Sequence, residues 1–307
     1  MREFKIDFNK AFKWVVSAYA LIIIVGIVFS LIFGVNLDIN FSGGTKISYS
    51  YTGDIEEKDI EETVKSVIDK SFTVSRSTAL AGDTQTFEIA LVGKNSVSAE
   101  NQQKLTAELE KKFKDNEITL YNSNSVSPTI AGSFFIKALV AVIITSVLVV
   151  IYVGIRFSKI GGVSAALTAL CALVLDIIVA FFVCVFFRLQ IDLNFIAVVL
   201  TILGYSLNDT IVIYDRVREN RKLNPDMEIG ELVNISVNKV MVRNIVTTVT
   251  TILAVTTIIV VSEIYGLTTL RTFAIPMAFG LISGAISSLF VSGPLWVFWK
   301  RKTAKNA

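Results

Sequence analysis

Histidine is absent from all 307 residues of the chain. That removes the commonest proton shuttle and the commonest transition-metal ligand. Cysteine occurs only as Cys171 and Cys184, thirteen residues apart in one apolar run. On a helix that separation is about 20 Å, so the pair cannot bond within the run. Neither a disulfide framework nor a zinc site is expected. The phosphate-cradling pattern G-x-x-x-x-G-K-[ST] does not occur, which argues against a nucleotide-driven pump. No nucleophile–base constellation stands out, so no enzyme and no cofactor is expected. No basic stripe with interleaved aromatics occurs in a soluble module, so nucleic acid is not an expected partner.

What the chain has in abundance is apolar sequence: 53% hydrophobic residues at a mean hydropathy of +0.63. That composition places it among integral membrane proteins. Six apolar spans emerge: Trp14–Phe33, Phe134–Ile155, Val163–Phe187, Leu193–Tyr214, Val242–Val261 and Thr272–Trp299. The first is longer than the apolar core of a signal peptide, and no small-x-small cleavage site follows it. An uncleaved anchor is therefore expected.

Charge in the short loops predicts orientation. Arg2, Lys5, Lys10 and Lys13 precede the first span, and Arg156 and Lys159 follow the second. Arg216, Arg218, Arg221, Lys222 and Lys239 lie between the fourth and fifth, and Lys300, Arg301, Lys302 and Lys305 follow the last. All fall on one side, predicted to be cytoplasmic, whereas the short opposite loops carry little beyond Arg188 and Arg271. The expected division is 1–34 for the N-terminus and first helix, 35–133 for an extracytoplasmic domain, 134–299 for helices two to six, and 300–307 for a basic tail.

Within the outer domain, Lys46–Thr52 alternates like a strand and Asp54–Phe72 has helical spacing. Phe72–Ala79 and Thr86–Val92 read as strands separated by Ala81-Gly82-Asp83. Ser98–Phe113 reads as a second amphipathic helix and Glu117–Tyr121 as a closing strand. The order β-α-β-β-α-β predicts a ferredoxin-like α+β domain. Asn122–Ser133 reads as a polar linker. Asn224-Pro225-Asp226 reads as an N-cap with Pro at the first helical position. It would open an amphipathic, interfacial segment near 215–241.

The fourth span buries Asn208 and Asp209 in apolar sequence. An ionised Asp there costs about 2.5–3.5 kcal/mol on insertion scales, so it is expected to bind, pair or titrate. Thr201, Tyr205, Asn208 and Asp209 fall along one helical face. Arg243, Thr247, Thr250, Thr251 and Thr257 share a face of the fifth span. Packing the two stripes together would make a hydrophilic path. Burial and a neighbouring guanidinium pull a carboxylate's protonation in opposite senses. A change of access, or of the distance to Arg243, would then load or release a proton. The alternative is a static polar clamp, with Arg243 snorkelling to the interface.

Asp176 in the third span continues a face of small residues, Ala165, Ala169, Ala172 and Ala180. A relay role and a hydrogen-bonded interior role both fit it. The last span carries Gly280-x-x-x-Gly284 and then Ser287-Ser288, a spacing that lets helices approach closely. Pro276 would loosen its start.

Several of these segments match a family. Gly204-Tyr205-Ser206-Leu207-Asn208-Asp209-Thr210 continues to Tyr214-Asp215-Arg216-Val217-Arg218-Glu219-Asn220. Phe41-Ser42-Gly43-Gly44-Thr45 follows the first span, and Gly280-x-x-x-Gly284-x-x-Ser287-Ser288-x-Phe290-x-x-x-Pro294-Leu295 lies in the last. Together they resemble the SecD/SecF family of bacterial protein export, within the resistance-nodulation-division superfamily. The resemblance covers essentially the whole chain. It implies half of a pseudo-symmetric bundle, an obligate SecD partner, association with the SecYEG channel and, indirectly, the ATPase SecA. The cargo would be an exported unfolded polypeptide, moved late in translocation by a proton or sodium gradient across a bacterial cell membrane. Asp209 would carry the ion, with Arg243 as its partner. One departure is Leu175, where many relatives have His; it rules out a His-assisted relay at Asp176. Half of another ion-coupled exporter of the superfamily and a purely structural subunit are the competing readings.

Overall fold

A computed structural model describes residues 6–68, 72–78, 85–92 and 99–305. The expected features at Arg2, Lys5, Ala79, Ala81-Gly82-Asp83 and Ser98 lie outside the described residues. The elements in chain order begin with α1 (Phe8–Phe33), α2 (Ile39–Ser42), β1 (Gly44–Tyr51), α3 (Glu57–Val67), β2 (Phe72–Thr78), β3 (Gln85–Val92), α4 (Ala99–Lys112) and β4 (Thr119–Val126). They continue with α5 (Pro128–Arg156), α6 (Gly162–Phe186), α7 (Leu193–Leu223), α8 (Ile229–Ile264), α9 (Thr268–Ser287) and α10 (Gly293–Lys305). A π-helical turn, Ser288–Ser292, joins α9 to α10.

Among the described residues, six helical segments are long and apolar enough to cross a membrane, the last running from Thr268 to Thr303. The most apolar windows of α1 and α5 bury only 11% and 17% of their residues within the chain. Trp14, Leu31 and Ile155 stand exposed. Apolar surface on this scale is stable only against lipid or another protein. The centre of the bundle is α6, α7 and α9. Ala165, Ala169, Ala172 and Ala180 of α6 are fully buried, which lets α9 pack closely along them.

The sheet has order β2-β3-β1-β4, antiparallel throughout, with α3 and α4 on one face. Ile47, Tyr49, Phe87 and Ile89 meet Ile60, Val64, Leu105 and Leu109 in a core separate from that of the bundle. Tyr49 stacks on Phe87 with centroids 5.2 Å apart. On the other face Lys46 pairs with Glu88 at 2.6 Å. The domain is the expected split βαβ arrangement between the first two long helices.

Several elements differ from expectation. The closing strand runs through Asn122–Val126, residues that read as linker, because β1 offers a whole edge: Asn122 pairs with Ser48 and Val126 with Gly44. An edge strand with both faces wet needs no hydrophobic alternation, so its pattern is silent. The linker shrinks to Ser127, which caps α5 ahead of Pro128. Phe41 and Ser42 close the short helix α2, capped by Asp38, and Gly43 alone separates it from β1. Gly44 has φ +141°, and a Cβ there would collide with the Leu91 carbonyl. Asn224 ends α7 rather than starting a helix. Glu228 caps α8, which runs unbroken into the fifth span, because its carboxylate accepts from the amides of Gly230 and Glu231.

Candidate functional site: the buried carboxylates of the bundle

Asp209 lies on the inner face of α7 and is 2% exposed. Thr248 of α8 faces it, yet no hydrogen bond of normal geometry closes between them. Asp209 Oδ2, Thr248 Oγ1 and Asn244 Nδ2 are all buried without a hydrogen-bond partner among the described residues, as is the adjacent Thr210 Oγ1. Leaving one such atom unmatched costs about 1–3 kcal/mol. Orphans are rare in native interiors and mark strain, ions or chemistry. Arg243 is exposed, within electrostatic reach of Asp209 but forming no ion pair with it. It lines a cleft of about 560 Å³ together with Val212, one turn beyond Asp209 on α7.

The polar stripe of α8 that faces α7 is one residue out of step with the predicted one. Asn244, Thr248 and Val255 are buried, and Thr251, on the same face, bonds Tyr205 across the helix pair at 3.0 Å. Thr247, Thr250 and Thr257 are exposed and turn back onto carbonyls of their own helix. Thr201 and Asn208 are likewise exposed on the outside of α7. Of the predicted residues, Asp209, Tyr205, Thr251 and Arg243 come together. Asn208, Thr247 and Thr250 stand on an outward polar face beside them.

A second carboxylate sits deeper. Asp176 is completely buried and accepts three serine hydroxyls. Ser283 reaches Oδ1 at 2.7 Å, and Ser206 and Ser287 reach Oδ2 at 2.7 and 2.9 Å. Tyr19 of α1 bonds Ser283 in turn, at 2.9 Å to its hydroxyl. The cage thus joins α1, α6, α7 and α9. Gly284 makes it possible: a Cβ there would stand 3.0 Å from Ser206 Cβ and 3.6 Å from Asp176 Oδ2. Gly280 similarly admits Ile202. Ser288 is buried and bonds back to Ala285.

Sequence reasoning missed Tyr19, Ser206, Ser283, Asn244 and Thr248. A signal for the last two was present. Leu232, Ser236, Val240, Asn244 and Thr248 recur at helical spacing, so extending the buried face of the start of α8 into the span leads to them.

A family pattern described as "Protein export membrane protein SecD/SecF, C-terminal" matches residues 105–302. The chain belongs to the SecD/SecF family. It is 30% identical to the protein translocase subunit SecF of Petrotoga mobilis, covering 98% of each chain. It is 32% identical to the protein translocase subunit SecDF of Bacillus subtilis over 98% of its own length, but it spans only 39% of that relative. Among solved structures, SecDF from Thermus thermophilus, described as a translocon-associated membrane protein, superposes with a TM-score of 0.79 at 26% identity. That match covers 97% of this chain and 39% of the other. The SecD/SecF membership fits six spans around one α+β domain, and the chain corresponds in extent to the SecF-type subunit.

Proposed function

We propose that this SecF-type subunit works as half of a SecD–SecF complex. The complex uses a proton or sodium gradient to draw exported polypeptides across the cell membrane beside the SecYEG channel, after SecA has begun the push. Both termini are cytoplasmic and the α+β domain is outside. Relatives that fuse both halves in one chain support a SecD partner. So does the outward polar face of Thr201, Asn208, Arg243, Thr247 and Thr250, which would be costly against hydrocarbon and is matched by a partner helix.

The observation that carries the reading is the orphaned polar group around Asp209 beside a polar cleft. A carboxylate with unmatched donors and acceptors, one turn from an aqueous entrance, can take and release a small cation. Arg243, close but unpaired, is placed to favour the empty carboxylate by moving toward it. One charge crossing 100 mV is worth about 2.3 kcal/mol. A full swing between two arrangements needs about 5.5 kcal/mol, so a strong bias of the outer domain needs several ions per cycle or a pH difference as well.

The test is Asp209→Asn at matched expression, with export measured in inverted vesicles with and without an imposed gradient. Assembly with SecD is expected to persist while gradient stimulation disappears. Export that stays fully gradient-responsive would assign the drive elsewhere and leave Asp209 as a clamp.

A further inference from the structure

The basic cleft between α7 and α8, at their ends remote from the sheet domain, has a composition that ion entry does not require. Arg216, Arg218, Lys222, Lys239 and Arg243 line it against Asp215 and Glu219. Both carboxylates are already engaged. Asp215 pairs with Arg218 at 2.8 Å and with Arg156 at 3.1 Å, and Glu219 pairs with Arg216 at 2.6 Å. Lys222, Lys239 and Arg243 remain without a carboxylate partner among the described residues. Lys239 reaches only the Asn220 amide oxygen, at 3.4 Å. Arg216 Nε is buried with no hydrogen-bond partner.

The cleft also adjoins an exposed apolar surface. Lys239, Val242, Val246, Val249 and Leu253 follow one another along a single face of α8, and the four apolar members are all 50% or more exposed. A cationic pocket that continues into an apolar track, where helix ends meet the membrane surface, has the chemistry of one ligand. It matches a phosphate headgroup with acyl chains attached. A free anion would use the cations and leave the track unexplained.

We infer that this cleft is a binding site for an anionic phospholipid. Its phosphate lies among Lys222, Lys239 and Arg216, and its chains lie along Val242, Val246, Val249 and Leu253. The site shares its cleft with the proposed entrance to Asp209, but its test reads lipid retention and stands or falls without ion coupling.

The test is native mass spectrometry of the complex purified from membranes, exposed to phosphatidylglycerol or phosphatidylethanolamine at equal concentration. Wild type should retain phosphatidylglycerol preferentially. Each surface cation is worth about fivefold in lipid affinity, so Lys222→Gln with Lys239→Gln should weaken retention by about thirtyfold. Lys222→Arg with Lys239→Arg should preserve it. Lys13→Gln, which removes a cation outside the cleft, should change nothing. Equal retention of both lipids, undiminished retention in the double Gln variant, or an equal loss in Lys13→Gln would overturn the site. So would displacement of the lipid by excess inorganic phosphate, which would make the cleft a free-anion site.

Discussion

Ser206 of α7 donates a 2.7 Å hydrogen bond to Asp176 of α6, one turn before Asp209 on the same helix. The two intramembrane carboxylates are therefore linked through a single helix face. They differ in satisfaction: both oxygens of Asp176 accept serine hydroxyls, whereas Asp209 Oδ2 has no hydrogen-bond partner among the described residues. A caged carboxylate acts as a joint between helices, whereas the unmatched one is the group to which the proposed ion coupling is assigned.

The cage makes a stability prediction. Asp176→Ala leaves three serine hydroxyls without their acceptor, at about 1–3 kcal/mol for each that finds no substitute. Asp176→Asn keeps the shape and one acceptor, and serine hydroxyls can turn to accept from the amide. Thermal melting of the purified complex should fall steeply for Ala and modestly for Asn. Melting of the Ala variant at the wild-type temperature would show that the serines do not depend on Asp176. An Asn variant that melts normally but loses gradient-driven export would make Asp176 a relay.

Close approach of α9 predicts a size limit. A Cβ at Gly280 would overlap Ile202 Cδ1 and approach its Cγ1 to 2.9 Å. Gly280→Ala should destabilise the bundle by about 1–3 kcal/mol through overpacking. Ile202→Val removes the colliding methyl, so the double variant should recover much of the loss. The double-mutant cycle is the measurement. Strict additivity would mean that the two helices simply shift apart.

Much of the architecture is legible in the sequence because each span is a long apolar run and each core strand alternates. The Ala165–Ala180 face and the Gly280–Gly284 pair also announce close packing directly. The partners of Asp176 and Asp209 are less legible. Serine and threonine in a span can bond their own helix, as Thr247 and Thr250 do, or a neighbour, as Ser206 and Ser283 do. Sequence spacing names the helical face but not its neighbour. The predicted α8 stripe followed the charge of Arg243, whereas packing follows Asn244, one residue and about 100° away.

That one-residue shift can be tested. Thr248→Val removes the hydroxyl facing Asp209, and Thr247→Val removes one on the outward face. Both are small, nearly isosteric changes. Gradient-stimulated export should drop several-fold for Thr248→Val and stay near wild type for Thr247→Val. Equal effects would place the functional stripe on the outward face, where the partner contributes the missing groups.

The last helix is tied near its C-terminal end to a carboxylate that lies outside the spans, Glu228. Arg301 donates to Glu228 at 2.8 Å, and the same carboxylate caps α8 through the amides of Gly230 and Glu231. Partial burial pushes the Glu228 carboxyl up. The Arg301 hydrogen bond and the amides of Glu231 and Gly230 outweigh it and hold the group below the usual carboxylate range. The folded state thus favours the charged form, so the contact is fully present above the ordinary carboxylate pKa. It is lost as the pH falls through the lowered value. Because both side chains are more than half exposed, the ion pair is worth only about 0.2–1 kcal/mol. A nitroxide attached at Lys302→Cys should therefore gain no more than about fivefold in its mobile population when strong acid breaks the pair. With Glu228→Gln the same modest gain should already be present at neutral pH. An equally immobile probe in the Gln variant at neutral pH would mean that Trp296 and Val297, buried in the bundle core, anchor α10 without help from the ion pair.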